Sequence, residues 1–160
     1  MKLFLKHDIT DISSRFVIFD ESGNEKYIVT GKSGSSKQIM YISDMNDNKV
    51  SLIAFLNFVG RYFSVKCEKR LYALIPCVNE HFGFMIYGST FRFIGDIAAG
   101  SFSLIDVDKS PVMTQKKCWG KVGEGFEINI FDDEYEILAL SVAVCAAIYI
   151  SLGQENPVPT

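Results

Sequence analysis

The sequence predicts a mainly β domain: a closed antiparallel barrel of about twelve strands around a buried C-terminal hydrophobic helix. Three observations carry this. Thirteen phenylalanines and seven tyrosines lie among 160 residues, many of them two apart, which suits strands better than a helical bundle. Short apolar runs recur at even spacing between tight-turn residues, as in sandwiches and barrels. Finally, ILALSVAVCAAIYISL (137–152) carries no charge and no polar stripe.

The strands follow in order. A short one is expected in LFLKH (3–7). RFVIFD (15–20) leads into ESGNE (21–25), where Gly23 and Asn24 can take the positive φ of a hairpin. KYIVTGK (26–32) returns, 34–36 turn the chain, and KQIMYISD (37–44) is the next strand. NDN (46–48) makes a further hairpin before KVSLIAFLNF (49–58). GRYFSVKCEKRLYALIP (60–76) reads as two strands with a turn near Glu68 and Lys69. HFGFMIYG (81–88), TFRFIGDI (90–97), SFSLIDVD (101–108), PVMTQKKCWGK (111–121) and GFEINIFD (125–132) complete the set. A faint repeat matches 15–29 with 101–115, Phe16 to Phe102 and Asp20 to Asp106. It suggests two meanders of about six strands, with a soft boundary near Asn79. The chain reads as one domain over 1–153 with a flexible tail at 154–160.

The terminal run is a helix by its ends and its composition. Asp132 or Asp133 can cap it, acids fill its first turn, and Gly153 can close it. An ordinary helix on a sheet keeps a wet stripe; this one does not. Its 16 residues fall short of the ~20 that a membrane span needs, and the near flank is acidic with no basic anchor. A barrel interior, where alanines fit between inward side chains, is the expected surrounding, ahead of a membrane tail or a surface helix.

RFVIFDESGNEKYIV, TFRFIGDIAAGSFSLIDVDKSPVMTQKKCWG, GEGFEINI and DDEYEILALSVAVCAAIYI together resemble the LURP-one-related branch of the tubby C-terminal-like superfamily. They are similar also to the phospholipid scramblases. The resemblance implies a twelve-strand barrel threaded by a C-terminal helix. Tubby-like domains bind phosphoinositides through a basic cluster, and scramblases are linked to lipid movement and calcium. This chain lacks the cysteine-rich palmitoylation segment and the long acidic loop of the scramblases, and FDESGNE has no EF-hand spacing.

Catalytic chemistry finds little support. His7 and His81 have no partners at metal-ligand spacing, and a Cys77–His81 pair lacks an orienting group and an oxyanion site. GKSGSSK (31–37) misses the P-loop spacing and joins two strands rather than opening a helix. Asp106 with Asp108 belongs to a turn, and Asp132 with Asp133 to a helix cap. Cys67, Cys77, Cys118 and Cys145 form no CxxC pair and read as thiols of a reducing compartment. No signal peptide is evident at the N-terminus. The expectation is a non-enzyme with neither cofactor nor metal.

Charge is the better lead. Residues 1–121 hold all 16 bases and 12 of the 19 acids, a net of +4, and residues 122–160 carry −7. A body so weakly basic argues against a nucleic-acid binder. Arg61, Lys66, Lys69 and Arg70 nevertheless fall in two consecutive strands and their turn, and Lys116 and Lys117 add a second pair. Alternation puts Tyr62, Ser64 and Lys66 on one face. These six bases are the candidate ligand site, with an anionic phospholipid headgroup or another polyanion as their natural partner, set against an ordinary solvated strand face. The competing expectation is a protein-interaction or scaffold domain. Either way the chain reads as cytoplasmic, peripheral to a membrane in the first case and not integral to one; the sequence leaves its oligomeric state open.

Overall fold

Alternate residues of each strand face one shared interior, and that alternation builds a single twelve-stranded antiparallel sheet. The computed structural model describes residues 1–8, 15–33, 37–57, 61–77, 83–120 and 123–155. In chain order the strands are β1 (Lys2–Asp8), β2 (Arg15–Phe19), β3 (Glu25–Ser33), β4 (Lys37–Asp44), β5 (Lys49–Asn57) and β6 (Arg61–Cys67). They continue with β7 (Arg70–Cys77), β8 (Gly83–Tyr87), β9 (Arg92–Asp96), β10 (Ser101–Ile105), β11 (Pro111–Gly120) and β12 (Gly123–Ile130). A 3₁₀ turn (Asp133–Tyr135) then leads into helix α1 (Glu136–Glu155).

Neighbours in the chain are neighbours in the sheet, with one exception. β1 pairs with β12, and β8 and β9 stand side by side without a shared hydrogen-bond ladder. The barrel is therefore nearly closed, and side chains complete the seam. The Phe84 and Phe93 rings meet edge to face at 5.6 Å, and Phe93 stacks on Phe102 at 4.4 Å. Gly83 makes room: a Cβ there would collide with the Phe93 ring.

Three hairpins share one turn. Asp20, Asp44 and Asp106 each donate their backbone N–H to the residue four on, Asn24, Asn48 and Ser110, and accept from the residue three on. That third residue is left-handed in every case: Gly23 at φ 85°, Asp47 at 66° and Lys109 at 68°. Each turn is followed by a register shift, as in a type I turn closed by a bulge. Gly23, without Asn24, takes the positive φ. The likeness of 15–29 to 101–115 extends to 39–53 through this turn, so it belongs to a turn class as much as to two halves. The proposed midpoint near Asn79 lies outside the described residues.

α1 fills the barrel. Every residue from Leu138 to Ile148 is buried, and the helix touches β5, β6, β11 and β12. Phe63, Val65, Leu74, Met113 and Ile128 are among the strand residues facing it. Asp132 caps the 3₁₀ turn by accepting the Glu134 N–H at 3.1 Å, and α1 proper begins at Glu136. The helix does not stop at Gly153. It runs to Glu155, since Gln154 and Glu155 favour helix and no proline intervenes before Pro157. Two polar contacts fix its depth. Glu136 takes the Lys26 ammonium at 2.8 Å and the Tyr27 hydroxyl at 3.1 Å. One to two turns inward, the Ser141 hydroxyl donates to the Ile137 carbonyl at 2.8 Å and lies 2.7 Å from the Ser51 hydroxyl.

Candidate functional site

Phe63, Val65 and Cys67 face the helix, so pleating leaves Lys66 on the outside of β6. Two residues on, the chain reverses through Glu68 and Lys69, both left-handed at φ 51° and 62°. Such a turn suits the barrel's twist but normally employs Asn-Gly. Holding two ordinary side chains there costs about 1–2 kcal/mol each. The strained tip carries Lys69 out beside the start of β5, and Lys49 approaches from the neighbouring hairpin. Lys49, Lys66 and Lys69 line one cavity of about 280 Å³ with Tyr41 and Glu68. The Lys49 ammonium stands 4.2 Å from the centre of the Tyr41 ring, close enough for a cation–π contact.

Arg70, first residue of β7, sits across the hairpin and lines a second cavity of about 490 Å³ with Tyr72, Ser89, Phe91 and Tyr135. Phe91 and Tyr135 meet perpendicularly at 4.7 Å. Glu134, burial and Asp132 raise the Tyr135 hydroxyl pKa, while Arg70 opposes them. The second cavity reaches Tyr135 and Leu138 at the start of α1, and the two cavities lie on either side of the β6–β7 turn.

The remaining predicted bases lie elsewhere. Lys116 and Glu127 face each other across β11 and β12 and form an ion pair at 2.9 Å, which Lys2 extends at 3.2 Å. The hydrogen bond and charge of Glu127 raise the Lys116 pKa, and those of the lysines hold the Glu127 carboxyl below its usual range. Lys117 faces the far end of the barrel, its stem over Gly100, where a Cβ would come within 2.6 Å of its Cγ. Arg61 opens β6 at that far end, and its side chain lies outside the described residues. The structure thus gathers Lys66 and Lys69 on one cavity with Arg70 beside it, and separates them from Lys116 and Lys117. It adds Lys49, which the sequence reading passed over. The register Ser51–Cys67 is what brings the start of β5 beside the β6–β7 turn, and a correct pairing of those strands would have found it.

Among the described residues no group of three or more His, Cys, Asp or Glu is placed to hold a metal ion. His7 stacks on Phe16 at 4.9 Å; Cys77 (by its side chain) and His81 lie outside the described residues. Cys67, Cys118 and Cys145 are free thiols. Burial, then Glu68, pushes the Cys67 thiol up to about 11, and burial raises Cys145 well above its usual value. No described helix is long and apolar enough to cross a membrane.

A family profile described as LURP-one-related matches residues 1–147. An X-ray structure of a protein from Arabidopsis thaliana superposes with a TM-score of 0.62 at 14% identity, covering 92% of this chain and 90% of that one. At that identity the likeness speaks for the fold alone. No curated protein matches the sequence.

Proposed function

The chain belongs to the LURP-one-related family, and from that premise we propose that it is a non-enzymatic binding module taking an anionic phospholipid headgroup between Lys49, Lys66 and Lys69. The observation that carries this reading is that three lysines and one glutamate line one concave surface. Ammonium groups donate to phosphate oxygens from any direction, and partial desolvation in a cavity strengthens each contact. Arg70, across the turn, supplies a planar fork for a second phosphate. The resemblance to tubby-like domains, which bind phosphoinositides through a basic cluster, supports the same reading. Acids on adjacent turns, Asp44 and Asp47 among them, cancel much of the long-range field. Recognition then depends on short-range contact more than on steering. The reading makes the domain cytoplasmic and peripheral to a membrane.

Calorimetric titration with inositol 1,4,5-trisphosphate, a soluble headgroup, tests it. The pair Lys66→Glu and Lys69→Glu should weaken binding by about tenfold or more, while Lys116→Glu, on another part of the barrel, should leave it within about twofold. Absence of saturable binding, or equal losses from both variants, would overturn the reading.

A second reading is favoured by a separate observation. Leu71, Ile75, Met85, Tyr87 and Ile94 are exposed on the outer faces of β7, β8 and β9, an apolar strip of the kind found at protein interfaces. On this reading the partner is a protein, and Lys66 and Arg70 form its rim.

A further inference from the structure

The far end of the barrel, where β1, β11, β12 and the later turns of α1 come together, holds a third cavity of about 200 Å³. Its lining is mixed in chemistry. Leu5 and Phe16, from β1 and β2, Phe126 from β12, and Ala147 and Ile150, from α1, make much of the lining apolar, with His7 stacked on Phe16 at the edge. Lys117 on β11 and Glu124 on β12 also line it. Two residues inward from Lys117, on the same face of β11, lies Gln115, only 2% exposed, with both amide atoms lacking a hydrogen-bond partner. A buried amide without a partner is costly, and in native structures water or a ligand usually satisfies it.

The same two strands show what a closed pair looks like. On their outer face Lys116 and Glu127 meet at 2.9 Å. On the inner side Lys117 and Glu124, close in register, form no ion pair with each other or with other described residues. One cation and one anion therefore line the cavity among mostly apolar side chains, and the orphaned amide lies buried two residues inward from the cation on the same strand.

We propose that this cavity binds a free α-amino acid with an apolar side chain. The ligand carboxylate accepts from the Lys117 ammonium and from the Gln115 amide nitrogen beneath it. The ligand ammonium donates to the Glu124 carboxylate, and the side chain lies against Phe16, Ala147 and Ile150. The site is independent of the lysine cavity at the other end.

The probes are L-leucine and its two half-ligands, 4-methylpentanoate and 3-methylbutylamine, titrated into the full chain with ligand-observed NMR and calorimetry. Leucine should bind saturably, and each half-ligand about tenfold or more weakly, since each forgoes one charge-assisted contact. Lys117→Gln and Glu124→Gln should each remove leucine's advantage over the half-ligand that lacks the matching charge. Gln115→Leu should raise the melting temperature while weakening leucine, a combination that a purely structural glutamine would not give. Ala147→Leu should fill the cavity and abolish binding; if that variant fails to fold, the two glutamine variants decide. Failure of leucine to saturate, equal binding of all three probes, or indifference to Lys117→Gln and Glu124→Gln would leave the cavity holding water only and overturn the proposal.

Discussion

Ser51 and Ser141 are a pair whose value depends on both members being present. Their hydroxyls meet at 2.7 Å inside an otherwise apolar interface. Ser51→Ala should cost about 1–2 kcal/mol, because it strips a buried hydroxyl of one partner. Adding Ser141→Ala should cost less than the sum, and a double-mutant cycle in urea measures the difference. Cys67 sets an alkaline limit. Its folded pKa of about 11 exceeds the ordinary thiol value of 9.0, so the folded state keeps a proton that the unfolded chain releases. Stability is then intact below about pH 9 and falls toward pH 11, by about 2–3 kcal/mol in all. Cys67→Ala should flatten that part of the stability profile, and an unchanged slope would contradict the assignment. Glu127 works in the opposite sense. Its depressed pKa gives stability that is present above the ordinary carboxylate range and lost as acid protonates it. Glu127→Gln should remove about 0.5–1 kcal/mol at neutral pH and little at pH 3, read from denaturation at the two pH values. None of these three was legible in the sequence, because each depends on a cross-strand or helix–strand register that loop lengths alone do not give.

The elements themselves were more legible, for reasons their residues make plain. Turns announced themselves through Gly23, Asp47 and the Glu68–Lys69 pair, and strands through period-two alternation. The helix announced itself by having no wet face. What the sequence did not reveal was the seam. β8 and β9 close through Phe84, Phe93 and the absence of a side chain at Gly83, and no local pattern marks a strand pair that lacks its ladder. α1 also turns out unequal along its length. Ala143 is fully buried among side chains, whereas Ala147 borders the far cavity. Ala143→Leu should therefore destabilise by about 1–3 kcal/mol through overpacking. Ala147→Leu should cost clearly less, because it has space to grow into. Equal losses in thermal denaturation would mean that the far cavity is not a real void.

At the scale of the molecule, the acidic last quarter and the weakly basic body are complementary. Glu127 answers Lys2 and Lys116, and Glu136 answers Lys26, so the charge division seen in the sequence becomes contacts between β12 or α1 and the strands around them. Deleting residues 132–160 removes the core as well as these contacts. The remaining sheet should be insoluble or unfolded by circular dichroism; a soluble, folded remainder would contradict a barrel built around its helix. Only part of the predicted basic cluster stays together. Lys66, Lys69 and Arg70 are close in sequence and stay close in space, but Lys116 is engaged by Glu127 and Lys117 faces the other end. The most direct test of the headgroup reading is flotation of the full chain with neutral liposomes and with phosphoinositide- or phosphatidylserine-containing liposomes, at low and moderate salt. Headgroup binding at the lysine cavity should give flotation with anionic liposomes alone, reduced by salt and lost with Lys66→Glu and Lys69→Glu. A chain that stays at the bottom of every gradient, or floats equally with neutral lipid, would contradict it and turn attention to the apolar strip on β7–β9.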